Sequence, residues 1–271
     1  MNTLQYGARV KFLKRSRVKL VYDAHEYETE ETGLNGWAKR LAKIKERFLI
    51  KFADRVITVS NRIAEEYVRL YGIEKPVLVL NCPILQSKEV VKKDLFREKF
   101  QISTSKKILL YQGGIFSGRG IKMILEICNQ LTSDDLVFVF LGDGDLVENI
   151  KNHSKYGEML FHHPYVAGDV LLEYTSSADC GIVFIEDISL SNRYCLPNKL
   201  FEYISAGLPV ISSGLPELKE FIEKYKVGKI TETNDAEGLM KVINNLPDLR
   251  SLDLNDNLMK VRLKFNWGTQ E

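Results

Sequence analysis

Two cations and a carboxylate carry most of the chemistry that this sequence offers. Arg119 lies in the glycine-bearing run YQGGIFSGRG (111–120), and Lys199 and Glu202 stand three residues apart in LPNKLFEY (196–203). Gly113 and Gly114 lack a Cβ, so a loop built on them lets main-chain amides approach a ligand closely. An arginine where such a loop enters a helix adds its charge to the positive helix end, which favours phosphate. The glycine spacing fits neither the dinucleotide fingerprint nor the P-loop. Lys199, in the first turn of a second helix, repeats the logic. Two cations beside two helix starts suit a diphosphate. Glu202, one turn deeper, is able to accept two hydrogen bonds, as a vicinal diol such as a ribose requires. Taken alone, Lys199 and Glu202 read as a solvated i,i+3 ion pair worth a few tenths of a kcal/mol, and Arg119 is what turns the reading toward a ligand.

Two further runs invite chemistry and yield less. LGDGD (141–145) reads as a tight turn in which Asp143 and Asp145 cap the next helix, with amides that could face a nucleotide. His162 and His163 are neighbours on an expected strand and so point to opposite faces, which keeps them from sharing one metal. No acidic or cysteine partner stands at ligand spacing, and no metal is expected.

The elements that must position these residues follow from periodicity. Before residue 85 three strands are expected, in VKLVYDAHE (18–26), DRVITVS (54–60) and KPVLVLN (75–81), with helices over 36–52 and RIAEEYVRLYG. Residues 83–105 are polar, with few core positions, and read as a linker ending in a short helix. A second cycle of strand–helix units then fills the rest of the chain, starting with KKILLYQGG (106–114) and DLVFVFLGDGD (135–145). Near-continuous apolar strands alternating with helices mean a parallel sheet covered on both faces. Ligands bind such sheets at the carboxyl ends of the strands, where the loops above lie. In NRYCLPNKLFEYISAGLPVIS (192–212), Pro197 suits the first helical turn and Gly207 the left-handed residue past the helix end. The expected fold is α/β. A complete doubly wound C-terminal domain spans residues 91–271, and a partial one spans 1–90.

Bulk properties exclude several classes. The 271 residues are 45% hydrophobic and 27% charged, as in ordinary water-soluble domains. A net charge of +2 gives no electrostatic case for nucleic acid. Cys82, Cys128, Cys180 and Cys195 lack paired-ligand spacing, which suits a reducing cytoplasm. No apolar run approaches the ~20 residues of a bilayer span. The segment MNTLQYGARVKFLKRSR has no apolar signal core.

The blocks ILLYQGGIFSGRGIKMILEI, VFVFLGDGD, YVAGDVLLEYTSSADCGIVF and LPNKLFEYISAGLPVISS follow the order of the donor-binding half of family 4 glycosyltransferases, which have the GT-B fold. The second domain resembles that half. VYDAHE, ADRVITVSNRIAEEY and VLVLNCP resemble the later strands of the acceptor domain, so the resemblance runs from about residue 15 to Trp267. It implies that Arg119 and Lys199 bind the diphosphate of a nucleotide-sugar and Glu202 the ribose hydroxyls. Gly113, Gly114, Asn198 and Tyr194 complete the donor-binding set, and His25 serves as the catalytic residue, facing the cleft near the anomeric carbon.

The implied reaction is retaining transfer of a hexosyl or related group to a glycan or lipid-linked acceptor in polysaccharide or glycoconjugate biosynthesis. It needs no metal or other cofactor, because cations and helix dipoles offset the charge that grows on the leaving diphosphate. The chain departs from the family pattern in places. Tyr194 stands where many members carry a Glu, and Gly114 where many carry a basic residue. The family's first strands have no counterpart before residue 15, and its C-terminal helix barely begins at FNWGTQE. These departures keep open an inactive nucleotide-sugar-binding remnant or scaffold. A GT-B-type epimerase ranks last, since His25 is the one histidine with motif support in the cleft.

Helix 36–52 also carries six cations, Lys39, Arg40, Lys43, Lys45, Arg47 and Lys51, against the single acid Glu46, beside an apolar stripe of Trp37, Leu41, Ile44, Phe48 and Phe52. Such a helix either lays the stripe on the core under a solvated face or lies on an anionic membrane. The second arrangement would place the protein peripherally on the inner face of the plasma membrane.

Overall fold

The computed structural model describes residues 2–14, 17–30, 33, 35–85, 91–132, 134–245 and 252–270. Its contacts divide the chain into two compact units. The first comprises Met1–Leu80 with Asp187–Leu196, and the second Asn81–Glu186 with Pro197–Glu271.

In the first unit, helix α1 (Asn2–Lys14) precedes strand β1 (Val21–Ala24). Helix α2 (Gly36–Leu49), strand β2 (Arg55–Thr58), helix α3 (Asn61–Tyr71) and strand β3 (Val77–Leu78) follow. The three strands pair in parallel in the order β1-β2-β3. Ser60 caps α3 by accepting from the Ile63 amide at 3.3 Å, and Gly72, at φ 64°, ends it. The sequence pattern gave no helix at 2–14. It forms through burial of Leu4 and Ala8 on one side and through an ion pair from Lys11 to Asp54.

Segment 187–196, expected in the second domain, groups with the first unit. Its short helix (Leu190–Arg193) brings Leu190 and Tyr194 against the core of Tyr22, Tyr27, Ile63 and Tyr67.

In the second unit six parallel strands form one sheet. They are β4 (Lys107–Gln112), β5 (Leu136–Leu141), β6 (Leu160–His163), β7 (Cys180–Val183), β8 (Val210–Ser212) and β9 (Gly228–Ile230). Their order is β6-β5-β4-β7-β8-β9. The chain therefore runs outward from β4 on one side, then returns to β7 and runs outward on the other. The reversal between β4 and β7 is the topological switch point, where loops diverge and leave a crevice. Every residue of β5 is buried, as a central strand covered on both faces requires.

The expected linker is in part a packed element. Helix α4 (Leu95–Phe100) buries Phe96 fully, and its ring meets Phe100, His163 and Tyr174. Asp179, at the start of β7, takes Lys92 at 2.9 Å and Arg97 at 2.7 Å. Residues 86–90 lie outside the described ones.

Candidate functional site

The crevice at the switch point is built from helix α9 (Asn198–Ser205), the end of β4 and the loop after it. Leu200, Phe201 and Ile204 turn into the core, as their spacing requires. Tyr203 bolts the helix to the sheet. Its hydroxyl accepts from the Gln112 amide at 2.8 Å and donates to the Leu110 carbonyl at 3.0 Å. Gly181 on β7 makes room for this ring, since a Cβ there would stand 2.3 Å from it. At the far end Gly207, at φ 70°, gives the left-handed turn. The Gly207 amide donates to Ile204 and the Leu208 amide to Tyr203, both at 2.9 Å, closing a Schellman motif. Pro197 sits one place earlier than expected, as the N-cap with an extended ψ of 149°. Helix α12 (Leu252–Lys264) holds the back of α9, where the buried Arg262 donates to the Ser205 carbonyl at 2.7 Å.

With its back fixed, α9 presents Lys199 and Glu202 to the end of β4. The Lys199 ammonium stands 3.8 Å from the centre of the Tyr111 ring, a close cation–π contact. Gly113, beside the ammonium, takes φ 112°, a backbone conformation that favours glycine. The Tyr111 hydroxyl donates to the Gly114 carbonyl at 2.7 Å. Burial raises the Tyr111 pKa, and the charge of Arg119 opposes that rise. One tyrosine thus meets both Lys199 and Gly114.

Arg119 is held between Gly118 and Gly120, both tied to Glu186 in the loop after β7. The Gly118 carbonyl accepts from the Glu186 amide at 3.1 Å, and the Gly120 amide donates to the Glu186 carboxylate at 3.2 Å. Gly120 takes φ 74° at the start of helix α5 (Ile121–Gln130). The arginine therefore sits at the mouth of a helix, as the sequence led us to expect.

Glu202 is half-buried and oriented. Its carboxylate accepts from the Gln112 side-chain amide at 2.6 Å, and the Gln112 carbonyl accepts from Thr175 at 2.6 Å. Burial raises the Glu202 pKa, while the Gln112 hydrogen bond and the charge of Lys199 pull it down. Gln112, Thr175 and Tyr203 escaped the sequence reading. The polar Gln112 at the end of the apolar strand KILLY was the available signal.

LGDGD has a different role from a helix cap. The Gly113 amide donates to Leu141, the Ile115 amide to Asp143 and the Leu146 amide to Ile115. A Cβ on Gly142 would come within 2.0 Å of the Gly113 carbonyl, and one on Gly144 within 2.3 Å of that of Ile115. Two glycine loops are zipped backbone to backbone, which fixes the loop bearing Gly113 and Gly114. Helix α6 (Val147–Lys151) receives no side-chain cap, and the Asp143 carboxylate instead accepts from the Tyr165 amide at 3.0 Å. The paired histidines are occupied locally. His162 meets the Gly142 carbonyl at 2.8 Å, and His163 is buried against Tyr174.

Of the expected site residues, Gly113, Gly114, Arg119, Lys199 and Glu202 thus come together in the second unit. Asn198 opens α9 and is exposed. His25 and Tyr194 belong to the first unit. His25 is exposed just past β1, with Nδ1 3.6 Å from the Asp23 carboxylate. Tyr194 is half-buried, beside an Arg193 that grips Asp187 at 2.8–3.0 Å.

The family model described as glycosyl transferases group 1 matches residues 92–260, which contain Gly113, Gly114, Arg119, Lys199 and Glu202. The chain belongs to that family. The model of glycosyltransferase family 4 matches residues 3–84. WcaI of Escherichia coli, assigned to colanic acid biosynthesis as a glycosyl transferase, is 22% identical over 84% of this chain and 60% of its own length. The chitobiosyldiphosphodolichol beta-mannosyltransferase of Debaryomyces hansenii is 22% identical over 72% of this chain and 46% of its own. The chain thus spans about half to three-fifths of these relatives. Among solved structures, Anabaena HepE in complex with UDP superposes with a TM-score of 0.79 at 15% identity, covering 99% of this chain and 74% of HepE. Sucrose-phosphate synthase from Thermosynechococcus elongatus superposes at 0.75 and 18% identity, over 97% and 68%. The fold of this member of the family is GT-B.

Proposed function

We propose that the crevice binds the nucleoside diphosphate of a nucleotide-sugar, and that the protein transfers the sugar with retention to a glycan or lipid-linked acceptor. The observation that carries this reading is the Lys199 ammonium over the Tyr111 ring beside an oriented Glu202 at the switch point of the sheet, with Arg119 where the adjoining loop enters α5. Lys199, Arg119 and the amides at the start of α5 would take the diphosphate. Glu202, held by Gln112, would accept from both ribose hydroxyls. Negative charge grows on the diphosphate as the glycosidic bond breaks, and donors fixed beforehand stabilise it without reorganising. His25 is kept as the catalytic residue that the resemblance implies, and no metal or cofactor enters the scheme. HepE has been crystallised with UDP, which makes UDP the first ligand to try. Four free cysteines, three of them buried, support a cytoplasmic setting.

Calorimetric titration with nucleoside diphosphates, then with a panel of nucleotide-sugars, tests the proposal on wild type and Glu202→Ala. Saturable binding that weakens about tenfold or more in the variant, a difference of roughly 1.4 kcal/mol, is expected. No binding of any nucleotide would sink it. Tyr194, in place of the Glu that the resemblance to family 4 leads one to expect, favours a second reading in which the chain binds donors without transferring them. Binding with neither hydrolysis nor transfer is the result that would select it.

A further inference from the structure

Helix α2 turns its apolar stripe outward. Trp37, Leu41, Ile44 and Phe48 are 75%, 55%, 66% and 67% exposed. At about 100° of rotation per residue they fall within roughly 60° of arc. Four large apolar side chains aligned on one exposed face are more than scattered surface hydrophobics.

The orientation is locked from behind. Glu46 lies opposite the stripe, is fully buried, and its carboxylate accepts from the hydroxyls of Tyr22, Tyr67 and Tyr71. Lys39 and Lys43, on that flank, are both paired with the buried Glu30. The remaining cations of the segment behave differently. Arg40, Arg47 and Lys51 are exposed and Lys45 half-exposed, and none makes an ion pair to a described residue. They border the stripe on both sides, and the helix's single acid is buried away from it. Helix α1, packed beside α2, likewise exposes Tyr6, Val10 and Leu13. No helix among the described residues is long and apolar enough to cross a membrane.

We infer that the outer face of α2 is a docking surface for an anionic lipid bilayer, with the stripe entering the headgroup–acyl boundary and the exposed cations beside it meeting acidic headgroups. Charge complementarity selects this occupant. A protein partner or second copy needs acids facing these cations, whereas an anionic leaflet supplies them everywhere and attracts each basic residue near its surface. The surface belongs to the first unit and its test uses no nucleotide, so it stands or falls apart from the donor-site proposal.

The test is co-sedimentation of the full chain with vesicles of phosphatidylcholine, alone or mixed with phosphatidylglycerol, at low and high salt. Binding to the mixed vesicles should be at least about tenfold stronger than to the neutral ones and should weaken with salt. Ile44→Glu and, independently, Phe48→Glu should each reduce it about tenfold or more, and Arg40→Glu with Arg47→Glu should remove the preference for acidic lipid. In a Trp267→Phe background the emission of Trp37 should shift to the blue on the mixed vesicles. Absence of binding at low salt, or equal binding by wild type and both glutamate variants, would overturn the inference. So would a dimer in sedimentation equilibrium that Ile44→Glu dissociates, since the stripe would then belong to a second copy.

Discussion

Helices α2 and α9 have the same kind of sequence and opposite orientations. Each carries a clean apolar stripe at helical spacing and a polar face opposite. In α9 the stripe goes in, with Leu200, Phe201 and Ile204 buried, and the polar pair Lys199 and Glu202 is offered to a crevice. In α2 the stripe goes out, and the carboxylate of Glu46 goes in. The difference lies in what waits beneath. Under α9 are β4 and β7, with Gly181 leaving a slot for the Tyr203 ring. Under α2 are three tyrosine hydroxyls and Glu30, which make the inward face polar and satisfied. Periodicity therefore specifies a helix and a face, and the neighbours decide which way the face points.

The largest effect that would break this contrast is expected at Glu46. Glu46→Leu fills the space but strands three buried hydroxyls, at a cost of at least about 3 kcal/mol. Urea unfolding should show it, with vesicle binding weakened because the helix is no longer held stripe-outward. Next comes the bolt on the other helix. Tyr203→Phe leaves the Gln112 amide and Leu110 carbonyl without their partner and should cost about 1–2 kcal/mol, read as a lower Tm. Lys199→Ala should leave Tm nearly unchanged while weakening nucleoside diphosphate binding about tenfold, roughly 1.4 kcal/mol. A large loss of stability instead would mean that the lysine is a structural member of the Tyr111 stack.

The smallest effect is the most discriminating. Glu202 accepts hydroxyls at both of its oxygens only when ionised, so nucleotide affinity should fall as pH drops through its pKa. Burial sets that fall above the ordinary glutamate value of 4.5. Gln112→Leu removes a hydrogen bond that lowers this pKa, so the midpoint should move to still higher pH. An unmoved midpoint would show that Gln112 does not orient the carboxylate.

Much of this arrangement was legible in the sequence. Strands and helices of the second unit fell where apolar runs and turn residues put them, and Gly207 took the left-handed conformation its place past α9 required. Arg119, Lys199 and Glu202 could be named because charged residues at helix starts and strand ends announce themselves. Gln112 and Thr175 could not, because their partnership depends on β4 lying beside β7, which the strand order alone decides. The same holds for LGDGD. Its glycines permit a turn, but only the adjacency of β4 and β5 makes them the bed on which the Gly113 loop is zipped. The outward stripe of α2 was visible as a stripe and not as a direction, since Glu46 finds its partners on β1 and α3.

Hydrogen–deuterium exchange with and without a saturating nucleoside diphosphate tests the central claim, that the polar face of α9 and the Gly113 loop form one nucleotide site. Protection should appear over 111–120 and 198–205, with exchange in 36–52 unchanged. Protection confined to other segments, or none there at saturation, would contradict it.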